Sequence, residues 1–250
     1  MDSVEKAVER AIATIRTSFA DDVTIDDLAR AAMFSKFHFT RLFRRTTGVS
    51  PGRFLSAVRL QEAKHLLLET SLSIADISRL VGYHSVGTFS TRFTRSVGVA
   101  PTVFRRYRGI TRIPPEAPCL AKSLVSCGSA KTEVGSVSGM VWPPAGRSGP
   151  VYVGLFPGRI PEGPPVGCTV VHDPAPVVLD NIPVGRYYML CQTAAPAGAS
   201  EPGGERAVAA AVAASEEITV VAGETASFGE LRLRPARPAD PPVLVALSAL

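Results

Sequence analysis

The feature that most constrains this 250-residue chain is a pattern of apolar, glycine and proline positions that occurs twice between Ile25 and Phe104. The first copy reads Ile25, Asp27, Leu28, Ala32, Phe34, Phe39, Phe43, Gly48, Val49, Pro51 and Phe54; the second reads Ile74, Asp76, Ile77, Val81, Tyr83, Phe89, Phe93, Gly98, Val99, Pro101 and Phe104. The offset is 49 before the turn and 50 after it, so the second turn carries one added residue between Tyr83 and Phe89. A chain that keeps so many spacings through an insertion repeats a folded unit rather than a composition.

Each copy reads as a short helix, a tight turn and a longer helix. Val4, Val8, Ile12, Ile15 and Phe19 recur at three- and four-residue steps and predict a leading helix buried on one face. Thr24, with Asp27 three residues on, caps a short helix through Ala32; Ser35 caps the next, which Gly48 ends. Pro51 opens a connecting helix whose apolar residues Phe54, Leu55, Val58, Ala63, Leu66 and Leu67 carry it to about Glu69. Ser73 and Ser85 cap the pair in the second copy, with Gly82 as the left-handed turn residue and Gly98 as the stop. A final helix follows from Pro101. Seven helices are expected, and a short helix followed by a tight turn and a helix that is apolar on one side and basic on the other is the arrangement that lays a recognition helix in a major groove.

Charge points to the same partner. Residues 1–110 hold 17 Lys and Arg against 10 Asp and Glu, whereas the remainder holds 10 against 12. A basic half draws a polyanion through counterion release. Composition also breaks near residue 110: 19 of the 21 prolines lie beyond it and nine of the 11 phenylalanines before it. We therefore expect a multidomain chain, α then β: an all-α tandem helix-turn-helix domain over residues 1–110, a linker over 111–131 and an antiparallel β-sandwich over 132–250.

The stretch Ile74-Ala75-Asp76-Ile77 through Gly82-Tyr83-His84-Ser85, then Phe89-Ser90-Thr91-Arg92-Phe93 and Gly98-Val99-Ala100-Pro101, resembles the signature of AraC/XylS-type transcription regulators. Ser35 through Phe43 with Gly48-Val49-Ser50-Pro51 resembles the first half of the same domain. The resemblance implies two recognition helices in adjacent major grooves of double-stranded promoter DNA. It places Phe37, Thr40 and Arg41 of the first, and Val86, Gly87, Thr88 and Thr91 of the second, toward base edges. Arg41 has the fork that bonds guanine O6 and N7. Phosphate contacts are expected from Ser35, Lys36, His38, Arg44, Arg45, Ser85, Arg92 and Arg95. RNA polymerase is the further protein partner that a bacterial activator of this kind implies. The family commonly places this domain behind a sensing domain, whereas here it comes first.

Beyond the linker, β-prone runs alternate with Gly/Pro turns: 134–142, 151–156, 168–172, 177–179, 186–192, 217–221, 230–234 and 243–247. A short helix is expected over Glu205–Glu217 from its alanine run, and a type I turn over Ile182–Gly185. Val177 through Tyr188 is similar to the turn of transthyretin-like or carboxypeptidase-regulatory-like sandwiches. Trp142, Tyr152, Tyr187 and Tyr188 are the candidate lining of a ligand pocket for a small-molecule effector.

The four cysteines, without paired spacing, read as small buried residues. His172-Asp173 is the only histidine–carboxylate neighbour, and Cys168 with His172 supplies two ligands where a metal site needs more. We expect no enzyme activity, cofactor, metal or membrane span, and a cytoplasmic location. The alternative reading makes the β domain the main module, as a carbohydrate- or ligand-binding or enzymatic unit with DNA binding secondary, or as a dimerisation or partner module.

Overall fold

In the computed structural model the residues described are 2–109, 133–145, 149–194 and 209–245. The first unit is helical: α1 (Asp2–Thr17), α2 (Ile25–Ala31), α3 (Lys36–Thr47), α4 (Pro51–Glu69), α5 (Ile74–Leu80), α6 (Val86–Val97) and α7 (Pro101–Arg106). None of these is long and apolar enough to cross a membrane.

The repeat in the sequence is a repeat in the core. Phe39, Phe43 and Phe54 form a ladder with centroid separations of 5.6 and 5.5 Å, the first pair tilted and the second edge to face; Phe89, Phe93 and Phe104 repeat it at 5.6 and 5.6 Å. All six rings are buried. Each ladder ties a longer helix to the helix after it, and edge-to-face pairs add about 0.5–1.5 kcal/mol beyond the area they remove from water.

Helix α4 lies at the centre, which changes which of its residues are buried. Leu55 and Leu66, expected on the apolar stripe, are only half-buried, while Ala57, Leu60 and Lys64 are buried. A helix with neighbours on several sides has no single wet face.

The second unit is built of strands: β1 (Val134–Trp142), β2 (Val151–Phe156), β3 (Gly167–Val171), β4 (Ala175–Pro183), β5 (Gly185–Ala194), β6 (Ala209–Ala214), β7 (Ile218–Val220), β8 (Thr225–Arg232) and β9 (Arg234–Pro235). They form one sheet in the order β4-β1-β8 and another in the order β3-β2-β5-β6-β9, with β7 also paired to β5. Val137, Val141, Leu179 and Leu231 of the first sheet share an apolar cluster with Val153, Leu155, Met189 and Ala211 of the second. The chain passes from one sheet to the other at Val184, where the buried Tyr187 hydroxyl donates to the Pro183 carbonyl at 3.0 Å. Burial pushes that phenol's pKa above its ordinary value.

Four expectations are corrected. The sheets are not wholly antiparallel: β1 and β8 run parallel, which their wide separation in the chain permits. The helix expected over Glu205–Glu217 is in its described part the strand β6, with Leu190↔Ala214 and Gln192↔Val212 in register on β5; ladder bonds outweigh alanine's small helical preference. Cys168 is disulfide-bonded while Cys191 is a free buried thiol, so the four cysteines are not uniformly small core residues; Cys119 and Cys127 lie outside the described residues.

The fourth correction concerns the C-terminal apolar run. Val243, Leu244 and Val245 are buried but form no strand, and the remainder of 243–247 lies outside the described residues. The described residues 237–245 cluster with the helices. The physical cause is Lys64 on α4, whose ammonium donates to the carbonyls of Val243 and Leu244, each at 3.2 Å. Arg16 on α1 donates to the carbonyl of Pro238 at 3.0 Å.

Candidate nucleic-acid interface

Capping fixes where each helix of the repeat begins. Thr24 and Asp27 form a reciprocal box: the Asp27 amide donates to the Thr24 hydroxyl oxygen, and the Asp27 carboxylate accepts from the Thr24 amide. The Thr24 hydroxyl donates to that carboxylate as well and holds it below its ordinary pKa. At Ser73 the hydroxyl oxygen likewise accepts from the Asp76 amide, and the hydroxyl donates to the Asp76 carboxylate. Ser35 and Ser85 accept from the amides of His38 and Thr88 at 3.4 Å, while Gly48 and Gly98 close α3 and α6 in the left-handed conformation. Ser35 and Ser85 thus have their hydroxyl oxygens engaged as caps at the start of each candidate reading helix.

Burial divides α3 into two faces. Phe39, Leu42 and Phe43 face the core, whereas Phe37 is 83% exposed and Lys36, His38, Arg41, Arg44 and Arg45 are exposed with it. Phe37, Arg41 and Arg44 stand four and then three residues apart, on one outward stripe. Thr40 is half-buried, its hydroxyl donating to the Lys36 carbonyl at 2.8 Å. His38 lies edge-on to Phe34 at 4.8 Å. Among the described residues Arg41, Arg44 and Arg45 have no ion-pair partner; Lys36 does, with its ammonium 2.9 Å from the Asp26 carboxylate.

The outward stripe of α6 differs in kind. Val86, Gly87, Thr88, Thr91 and Arg95 are exposed and Arg92 is half-buried. Apart from Arg95 at the far end, the exposed residues of this stripe are short, so close approach is available but long polar reach is not. An added Cβ at Gly87 would touch only the Ser85 hydroxyl at 3.6 Å.

What sequence reasoning missed is the joint between the two copies. Arg59 on α4 donates to the carbonyls of Phe19 and Asp21, and its guanidinium carbon stands 6.0 Å from the Tyr83 ring centroid. An added Cβ at Gly82 would lie 2.8 Å from the Ala20 carbonyl oxygen. The loop after α1 and the turn before α6 therefore meet at Arg59. The signal was an arginine within an apolar stretch of α4.

The candidate pocket residues do not converge. Tyr187 belongs to the shared core, and Tyr188, its neighbour on β5, points to the opposite face, where its hydroxyl donates to the Glu217 carboxylate at 2.9 Å and Arg159 lies 4.8 Å over its ring. Tyr152 alternates with the core residues Val151 and Val153 on β2 and so faces away from the core. Trp142 stands on the other sheet under Arg232 at 4.5 Å.

Residues 28–107 match the family model described as a helix-turn-helix domain. A lactose operon transcription activator of Staphylococcus xylosus is 32% identical over 110 residues, 44% of this chain and 39% of that protein. The transcriptional activator RhaS of Escherichia coli is 34% identical over 97 residues, 39% of this chain and 35% of that protein. Among solved structures, the C-terminal domain of AraT, a response regulator from Geobacillus stearothermophilus, is 33% identical with a TM-score of 0.40, covering 43% of this chain and 90% of that one. The helical unit is thus similar to the helix-turn-helix domains of AraC/XylS-type regulators. The chain spans less than half the length of the curated relatives it matches.

Proposed function

We propose that the protein is a transcription regulator that binds double-stranded promoter DNA with α3 and α6 in successive major-groove segments. The observation that carries this reading is the pairing of two exposed, serine-capped helices on equivalent aromatic ladders, joined by a 19-residue helix. Such a helix is about 28 Å long, and groove segments on one face of B-DNA recur about every 34 Å. One polypeptide then does what two subunits do in dimeric readers.

In this reading α3 reads and α6 anchors. Arg41 takes a guanine, Phe37 stacks against or fills the groove beside it, and Val86, Thr88 and Thr91 meet thymine methyls at close range. Arg44, Arg45 and Arg95 hold phosphates. The names of the activator relatives support RNA polymerase as the protein met at the promoter, and a DNA-bound role places the chain in the cytoplasm. The two sheets sharing one core are read as a sandwich that senses a small molecule or mediates assembly.

Site selection from random duplex with the full chain tests this. The expected product has two conserved segments about ten base pairs apart, and Arg41→Ala relaxes preference at one position of a single segment. Recovery of no site above non-specific background, or a loss of preference from Val86→Ala or Thr88→Ala but not from Arg41→Ala, counts against it.

A further inference from the structure

Residues 237–245 follow the last strand by one residue, yet they are part of the helical unit. Two helices hold them there. Arg16 of α1 holds the carbonyl of Pro238, and Lys64 of α4 holds those of Val243 and Leu244. The Lys64 ammonium lies 5.9 Å from the ring centroid of Phe104 on α7. Leu244 is 1% exposed and Lys64 8% exposed. The segment enters this seat from a turn closed by the Arg237 amide donating to the Asp240 carboxylate at 2.7 Å.

Two features separate this contact from incidental packing. A buried ammonium needs acceptors, and here two backbone carbonyls of the tail supply them. The lysine sits on α4, the helix that spaces the two candidate reading helices, and beside the aromatic ladder of the second copy. The tail leaves the outward stripes of α3 and α6 exposed, so it does not cover the face that would meet DNA.

We propose that residues 237–245 are an intramolecular brace on α4, which holds the two helix-turn-helix copies at the spacing that DNA reading requires. The brace is built of the tail's own carbonyls and the Leu244 side chain; its receptor is Lys64 with Arg16. The DNA consequence rests on the function proposed above, whereas the mechanical one does not.

Full-length chains carrying Leu244→Asp, Leu244→Met and Lys64→Met distinguish the two. Amide hydrogen exchange across residues 60–68 and affinity for the selected DNA site are measured on each. For Leu244→Asp and Lys64→Met the brace predicts exchange faster, and DNA binding weaker, by about tenfold or more, with Leu244→Met close to the parent in both. Unchanged exchange and unchanged affinity in both substituted chains overturn the proposal. Rescue of Leu244→Asp by an equimolar chain that keeps the tail but has Arg41, Arg44 and Arg45 all replaced by alanine, and that shows no binding to the site by itself, overturns its intramolecular form, since the tail then works between copies. If the parent chain selects no DNA site, the regulator reading falls alone and the exchange measurement decides the brace.

Discussion

The Nε of Arg59 donates to the backbone carbonyl of Phe19 at 2.7 Å, forty residues away in the chain. Its Nη2 reaches the Asp21 carbonyl at 2.9 Å, and the same guanidinium lies near the Tyr83 ring. One planar fork on α4 thus ties the loop after α1 to the turn before α6. A lysine cannot reproduce that fork, because its ammonium is a point donor on a flexible stem. We expect Arg59→Lys to lower stability by about 1–3 kcal/mol. It is also expected to weaken binding to a two-segment site more than to either segment alone, as measured by denaturant melts and by titration with paired and single segments.

The two turns solve the same backbone problem with different residues. Met33 has φ 61° and Gly82 φ 79°, both left-handed, at positions one repeat apart. Met33 is 85% exposed, so its side chain meets no wall, but a side chain in this region costs about 1 kcal/mol. Met33→Gly should therefore be neutral to slightly stabilising. Gly82→Ala should destabilise by more than that, because the added methyl also meets the Ala20 carbonyl and the Arg59 guanidinium. Thermal unfolding of the two variants checks the difference in sign; equal losses would show that the backbone alone decides.

These turns and ladders were legible because they depend on neighbours in sequence: the caps Thr24, Ser35, Ser73 and Ser85, and the glycines that stop α3 and α6, act within one turn of chain. Phe39, Phe43 and Phe54 announce themselves by helical spacing alone. Arg59 and Lys64 did not, because a cation inside an apolar stretch looks like a solvated face until its distant acceptors, Phe19 and Leu244, are folded against it. Alanine-rich β6 misled for the same reason, its ladder partners lying on β5 and β9. In the interface, the basic outer face of α3 followed from periodicity and the outward positions of α6 from the family resemblance, but the engagement of Lys36 by Asp26 needed the turn geometry.

That engagement has a consequence for DNA. The Lys36 and Asp26 side chains are both more than half exposed, so their ion pair contributes little to stability. It does place a carboxylate at the mouth of the α3 groove face. Asp26→Asn should leave the melting temperature nearly unchanged and strengthen DNA binding a few-fold at low salt, by freeing Lys36 for a phosphate. Replacing Arg44 and Arg45 together by alanine should weaken binding to all sequences alike. It should also reduce the slope of log K against log salt by about 2, since each phosphate contact contributes about 0.9. A change in base preference would instead make these arginines readers.

Lys64 gives the helical unit an unusual response to alkali. Burial lowers its pKa from the ordinary 10.5 to about 8, with neutral carbonyls and the face of Phe104 as its surroundings. Below about pH 8 both folded and unfolded chains hold this proton, and the cost of burying the charge is carried in full. Between about 8 and 10.5 the folded chain releases the proton while the unfolded chain keeps it. The unfolded state then binds more protons, and stability rises with pH. Set against Lys64→Met, which removes the titration and keeps the volume, the parent should gain on the order of 3 kcal/mol across that window. Urea melts of both chains between pH 7 and pH 10 measure the difference directly. A flat difference would mean that water reaches the ammonium, and that the tail carbonyls do not seal it.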